Sequence, residues 1–181
     1  MASSDEQLAQ RLQSGDRSAM SALVERHYDA LMGYLYRMTR GDRALAEDLA
    51  QETFLRALRG IGGYQHARPF KPWLYAIATN IARNHYTSAD QRRTASAEDD
   101  AEYGEDDAPD AGLLEADEAR EVIAALDTLP SHQREVIVLY FYQSLSLQAV
   151  AETLEIPLGT VKSRLSLGVK RLSERMETDD V

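Results

Sequence analysis

The chain contains no cysteine. That excludes disulfides, a thiolate metal site and a cysteine nucleophile, and it fits a reducing compartment such as the cytoplasm. Its four histidines (His27, His66, His85 and His132) are scattered, with no pair at i, i+4 spacing, so no metal site is expected. No apolar run approaches the ~20 residues that cross a bilayer. Residues 1–16 are polar and lack the apolar core of a signal peptide, so membrane insertion is not expected. Neither a glycine-rich phosphate loop nor a nucleophile elbow is present. Nothing suggests an enzyme, and no cofactor is called for.

What the chain has in excess is acid. Thirty acidic and twenty basic residues give a net charge of −10 over 181 residues, which at first argues against a nucleic-acid partner. The distribution reverses that inference. Residues 98–121 hold twelve acids and one base, a local charge of −11, and the remainder of the chain sums to +1. Within that remainder residues 53–93 carry +6 and residues 156–176 carry +4. Two mildly basic patches are separated by an acidic stretch.

Helical periodicity dominates on both sides of that stretch. Met20, Leu23, Val24, His27, Leu31, Leu35 and Met38 form one stripe, with Gly15-Asp16 and Gly41-Asp42 as breakers. A second helix, about residues 44–58, buries Ala46, Leu49, Ala50, Thr53, Phe54, Ala57 and Leu58. It turns Glu47, Asp48, Gln51, Glu52, Leu55 and Arg56 outward. Gly60, Gly62, Gly63 and Pro69 mark a loop. A third helix then starts near Phe70, with Phe70, Trp73, Leu74, Ile77, Ala78 and Ile81 inward and Lys71, Tyr75, Asn80, Arg83 and Asn84 outward.

Residues 94–114 lose the pattern and are rich in Ala, Asp, Glu and Gly. Such a segment buries too little surface to offset its ordering entropy and reads as a flexible linker, with a root-mean-square span of roughly 25 Å. Helical patterning resumes near Glu115, breaks at Leu129-Pro130, and resumes with Ser131 as a candidate N-cap. The run from Val136 to Tyr142 has strand propensity. A single strand here would have no partner, so a helix is expected. The fold class is all-α: two small helical domains, residues 1–93 and 115–181, joined by the acidic linker 94–114.

Residues 147–166 have the pattern of a helix-turn-helix. Ala151 supplies the small residue at the helix crossing, and Val150, Leu154, Ile156, Val161 and Leu165 supply the apolar contacts. Ser146 caps the first helix, and Pro157 fits the turn or the first turn of the second helix. Glu155 occupies a turn position that often needs positive φ, where left-handed geometry costs a non-glycine residue roughly 1–2 kcal/mol. The second helix, about Leu158 to Met176, presents Thr160, Lys162, Ser163, Ser166, Leu167 and Lys170. Short polar groups near a helix N-terminus suit base edges, and Lys and Arg suit phosphates. A helical hairpin with a solvated basic face is the plainer alternative.

Taken together these segments resemble the ECF (extracytoplasmic function) subfamily of bacterial RNA polymerase sigma factors, over about Leu8 to Met176. The segment Ala46-Glu47-Asp48-Leu49-Ala50-Gln51-Glu52-Thr53-Phe54-Leu55-Arg56-Ala57 is similar to that family's region 2.2. Phe70 to Asn84 resembles regions 2.3 and 2.4, and Leu129-Pro130 with Gly159 to Leu165 resembles region 4. Where many members carry arginines, this chain has Leu167 and Val169.

The resemblance implies a sigma factor that binds core RNA polymerase and directs promoter recognition for a dedicated regulon. Glu47, Asp48, Gln51, Glu52, Leu55 and Arg56 would dock on the clamp helices of the β′ subunit, and the C-terminal domain on the β flap. The loop from Gly60 to Pro72 and the helix after it would melt and read the minus-ten element, which takes aromatic surfaces, amides and cations. Tyr64, Trp73, Tyr75, Asn80 and Asn84 would supply the first two, with Phe70 and Tyr86 nearby. Lys71, Arg83, Arg92 and Arg93 would supply the charge. Phe70 and Trp73 also lie on the buried stripe and read more readily as core, so the outward Asn80, Arg83 and Lys71 are the stronger candidates. The minus-thirty-five element would meet Thr160, Lys162, Ser163, Arg164, Ser166, Leu167, Lys170 and Arg171, although Arg164 could instead point back into its own domain. The linker is either a tether or a polyanion that occupies a nucleic-acid channel and screens the basic patches in free protein. An anti-sigma factor and promoter DNA are the remaining implied partners. A stand-alone helix-turn-helix regulator and a helical adaptor that binds only protein are the competing readings.

Overall fold

The computed structural model describes residues 3–95 and 113–179, with side chains described for 3–87 and 119–175. All regular structure among the described residues is helical. The N-terminal group comprises α1 (Asp5–Gln13), α2 (Ser18–Met38), α3 (Arg43–Gly60), a 3-10 turn (Ile61–Gly63) and α4 (Phe70–Ala95). The C-terminal group comprises α5 (Leu113–Asp127), α6 (Ser131–Ile137, continuing as a π-helical turn through Val138–Tyr142), α7 (Leu147–Leu154) and α8 (Leu158–Asp179). The acidic linker expected at 94–114 lies, apart from its ends, outside the described residues.

Local chemistry explains each boundary. Helix α1 was not read from the sequence, yet its signal is present. Ser4 and Gln7 form a capping box, Gln7 N–H donating to Ser4 Oγ at 3.2 Å and Ser4 N–H to Gln7 Oε1 at 2.9 Å. Leu8, Ala9 and Leu12 then face the core. Helix α2 stops at the expected breaker: Arg40 and Gly41 take φ of 60° and 86°, and Asp42 accepts the Leu45 N–H at 2.9 Å to start α3. The N-terminal core gathers Leu23, Leu31, Leu35, Ala46, Ala50, Leu74 and Ala78. At its centre the Tyr34 and Thr79 hydroxyls hydrogen-bond at 2.7 Å.

Two expectations about side chains fail here. Leu58 does not join the buried stripe of α3; it is 41% exposed beside Leu55, which is 47% exposed. The buried stripe runs through Ala57 to Ile61 and leaves Leu58 at its outer edge. Ser131 does not cap α6. Pro130 holds the N-cap position, its carbonyl accepting the N–H groups of Gln133 and Arg134 at 2.9 and 3.0 Å. The side-chain bonding at this junction comes from Arg134, which is buried and donates to Leu126 O at 2.9 Å and to Asp127 Oδ1 at 2.9 Å. A guanidinium thus satisfies the C-terminal carbonyls of α5.

The β-prone run from Val136 is helical. Val136, Ile137, Val138 and Leu139 are buried on all sides, which rewards burial without needing strand partners. The run widens to a π turn, with Gln143 N–H donating to Val138 O at 3.1 Å. The helix-turn-helix follows its expected design. Ser146 Oγ accepts the Ala149 N–H at 3.1 Å, and Val150, Ala151, Leu154 and Val161 are buried at the crossing. Glu155 takes the left-handed conformation, φ 55° and ψ 44°.

Helix α8 lies close on α6 because of Gly168. A Cβ placed there would sit 2.7 Å from Ile137 Cδ1 and 3.5 Å from Gln133 Cβ. Ile137 is buried, so its methyl has little room to yield. Gly168→Val is expected to destabilise the protein by about 1–3 kcal/mol through overpacking, seen as a lower denaturation midpoint in urea.

Candidate nucleic-acid interface

On α8 the outward face is built as the sequence suggests. Lys162, Ser163, Ser166, Leu167 and Lys170 are exposed, while Thr160 and Arg164 are half-buried. Ser163 Oγ turns back to donate to Thr160 O at 3.0 Å. Lys170 Nζ lies 3.7 Å from Glu174, both side chains well exposed, so that pair leaves the ammonium available to an anion. Arg171 is exposed but leans on its own group, donating to Gln133 Oε1 at 3.0 Å. Leu167 and Val169 are 52% and 43% exposed and flank this polar face with apolar side chains, one on each edge.

On α3 the outward face is confirmed in position. Asp48, Gln51, Leu55 and Arg56 are exposed, and Glu47 and Glu52 are partly so. Two i, i+4 pairs lie along it, Arg43–Glu47 at 3.1 Å and Arg56–Glu52 at 2.6 Å. Leu58 was missed as a member of this surface, and it adds a second exposed leucine to the acidic face.

The residues expected to face the minus-ten element divide into three groups. Asn80 and Asn84 are exposed on α4. The side chains of Arg92 and Arg93 lie outside the described residues. Tyr64 and Tyr75, by contrast, are core residues, 4% and 0% exposed. Tyr64 sits in an aromatic cluster with Phe70 and the half-buried Trp73, at centroid distances of 5.8 and 5.0 Å. Its hydroxyl donates to Arg68 O. Tyr75 packs edge-on against Tyr34, with ring centroids 5.2 Å apart, and burial raises the pKa of its hydroxyl. Its spacing sets it one turn after Lys71 on the polar flank of α4, and the C-terminal group covers that part of the flank.

The same cover engages Lys71 and Arg83. Arg83 makes a two-pronged ion pair with Glu135 of α6, Nε to Oε1 at 2.7 Å and Nη2 to Oε2 at 2.5 Å. Those hydrogen bonds raise the Arg83 pKa. Lys71 Nζ donates to the Gln143 carbonyl at 2.6 Å, and burial lowers its pKa. Gln143 is itself buried. Its Oε1 accepts the Tyr75 hydroxyl at 2.6 Å, and its Nε2 donates to Ala30 O at 3.2 Å. Arg37 of α2 lies 4.1 Å from the ring centroid of Tyr142, and Arg40 pairs with Asp127 at 2.8 Å. The two helical groups are therefore packed together, and two of the cations expected on promoter DNA are spent on the seam. The sequence carried no signal for Gln143, since a single glutamine after an apolar run has no periodic signature.

The comparisons with known proteins agree with this architecture. Residues 23–93 match the Sigma-70 region 2 family and residues 119–172 the Sigma-70, region 4 family. The RNA polymerase sigma-H factor of Pseudomonas aeruginosa is 32% identical over 170 residues, covering 89% of this chain and 88% of the relative. The ECF RNA polymerase sigma-E factor of Haemophilus influenzae is 33% identical over 171 residues, with 89% of each chain covered. Among solved structures, CnrH in complex with the cytosolic domain of CnrY superposes with a TM-score of 0.75 at 26% identity, covering 97% of this chain and 98% of that one. The sigma factor RpoE of Bartonella quintana, solved with the anti-sigma factor NepR, shares the fold with a TM-score of 0.73 at 24% identity, over 88% of this chain and 97% of that one. With both helical groups matched and relatives aligned almost end to end, the chain belongs to the ECF family of RNA polymerase sigma factors.

Proposed function

We propose that this chain directs promoter recognition through three surfaces carried on its two helical groups. The observation that carries the reading is the pairing, in one chain, of an exposed acidic and leucine-bearing face on α3 with an exposed basic face on α8. Glu47, Asp48, Gln51, Glu52, Leu55 and Arg56, with Leu58 added, dock on the β′ clamp helices of core polymerase. Thr160, Lys162, Ser163, Arg164, Ser166, Leu167, Lys170 and Arg171 enter the major groove of the minus-thirty-five element, and the same C-terminal group meets the β flap. The exposed loop between α3 and α4, closed by the aromatic cluster of Tyr64, Phe70 and Trp73, meets the minus-ten strand together with Asn80, Asn84, Lys71 and Arg83 of α4 and with Arg92 and Arg93. Residues 1–93 and 115–181 act as the two functional units, in the cytoplasm where the polymerase works.

Leu167 puts an exposed apolar side chain at one edge of the α8 face, which suits a thymine methyl better than a phosphate. Phosphate anchoring falls to Lys162, Arg164 and Lys170. An anti-sigma partner is in keeping with the Bartonella quintana sigma factor RpoE, which was solved with the anti-sigma factor NepR. The decisive experiment adds the purified chain to core polymerase and measures transcription from promoters selected by that mixture. Core-dependent initiation is expected. Tight duplex binding without core, and no initiation, would favour a stand-alone regulator instead.

The α3 assignment makes a direct prediction. Glu47→Lys with Asp48→Lys should weaken core binding by about tenfold or more while leaving the denaturation midpoint near that of the parent, as competition for core polymerase will show. Unchanged core affinity would remove α3 from the docking surface.

DNA and Glu135 compete for Arg83, so promoter contact requires the helical groups to separate. Glu135→Ala leaves Arg83 partly solvated rather than buried, so its main effect is on the closed arrangement. The variant should show a larger radius of gyration by X-ray scattering and bind core polymerase about 2- to 10-fold more tightly, a shift of population rather than of contact chemistry. An unchanged radius would show that this ion pair does not hold the groups together.

A further inference from the structure

Helix α1 precedes the stretch matched by the region 2 family, which begins at residue 23, and nothing so far gives it a task. Its polar side chains do not simply face solvent. Gln13 Nε2 donates to Ile61 O at 2.7 Å and to Tyr64 O at 2.9 Å. Glu6 Oε1 accepts the N–H of Phe70 at 3.2 Å. These acceptors and this donor bracket one segment: residues 61–64 open the loop between α3 and α4, and Phe70 is the first residue of α4. One helix therefore holds both ends of the loop.

The loop needs such holding. Gly62 and Gly63 touch nothing where a Cβ would stand, and Gln65, His66, Ala67, Arg68 and Pro69 are exposed. A glycine-bearing exposed segment of this kind is costly to order at the moment of binding. The holder is itself anchored. Leu8, Ala9 and Leu12 are buried, and Asp5 bonds Arg26 at 3.0 Å and the buried His27 at 2.8 Å, both on α2. Within the loop, Tyr64 O–H bonds Arg68 O, and Arg68 N–H donates to Gln65 O at 2.9 Å. Hydrogen bonds to its own backbone N–H and to that of Phe70, the former the larger, keep the Glu6 carboxyl below its usual range. It is thus ionised where the N-terminus of α4 favours an anion.

We propose that Gln13 and Glu6 are positioning residues for promoter opening. They clasp the two ends of the 61–69 loop and hold its exposed crest in one shape before the unpaired minus-ten strand arrives. The ordering cost is then met on folding rather than on binding, which raises strand affinity without any contact from α1 to DNA. This inference rests on the minus-ten assignment of that loop, and the experiment separates the two.

The probe is the minus-ten non-template strand of a promoter recovered by the wild-type holoenzyme from a randomised duplex pool. The control is a duplex of the same promoter ending upstream of the minus-ten element. Gln13→Glu keeps the shape but replaces the donor with an acceptor facing two carbonyls. It should raise amide exchange across residues 61–70 and lower holoenzyme affinity for the single strand about tenfold, with the control duplex and core affinity unchanged. Glu6→Ala should behave alike, and Glu6→Gln, which keeps the acceptor for Phe70 N–H, should restore wild-type binding. Equal strand binding by wild type and both Gln13→Glu and Glu6→Ala overturns the proposal, as does an equal loss on strand and control duplex. A wild-type holoenzyme that does not retain the strand removes the minus-ten assignment, and the proposal with it.

Discussion

Gln143 uses each of its polar groups where the two halves of the chain meet. Its side-chain oxygen takes the Tyr75 hydroxyl, its amide nitrogen reaches Ala30 O, its carbonyl takes Lys71, and its N–H closes the π turn onto Val138. A buried amide left unpaired costs about 1–3 kcal/mol, so the seam closes in the register that satisfies all four groups at once. The π turn makes that possible. One extra residue in the turn carries Gln143 around to α2 and α4, and Ser144 then reverses the chain with φ of 54°. Apolar contact would let the two helical groups slide against each other; this amide does not.

Charge works on the same seam in a different way. Glu135 is almost fully buried and would be costly to desolvate alone. The two-pronged contact with Arg83 offsets that cost, because each carboxylate oxygen meets an N–H. Arg83 itself stays partly in water, with its side chain 40% exposed against 3% for Glu135. The pair is therefore asymmetric: the carboxylate depends on the arginine more than the arginine depends on it. A polyanion arriving at α4 competes for the cation and leaves Glu135 as the stranded group. Opening the closed form is thus coupled to the charge of what displaces it, and the coupling sits in a residue pair that joins α4 to α6.

Much of this was legible in the sequence. The stripe of α2, the acidic face of α3 and the helix-turn-helix all follow from 3.6-residue periodicity, and the positive φ of Glu155 follows from the turn pattern around it. Periodicity reports which face of a helix is apolar, though not what covers a polar face. Tyr75, Lys71 and Arg83 sit on the polar flank of α4 and read as solvent-facing, but the C-terminal group lies on them. Leu58 reads as buried because it lies four residues after Phe54, yet the stripe passes through Ala57 and Ile61 and leaves it at the edge. Helix α1 is short and polar, so its capping box was the only strong local mark. The roles of Gln13 and Gln143 rest on carbonyls many tens of residues away in the chain and have no local signature at all.

The N-terminus of α4 is where these two polar systems come within one residue of each other. Glu6 holds the N–H of Phe70 from α1, and Lys71, the next residue, reaches the C-terminal group. Among the bonds described, those that hold the 61–69 loop come from α1 and from the loop itself, whereas those that occupy Lys71 and Arg83 come from Gln143 and Glu135. Separating the helical groups would break the second set and leave the first intact. Separation of the helical groups thus frees Lys71 and Arg83 without disordering the loop beside them, because the bonds that hold the loop and the bonds that occupy the cations come from different helices.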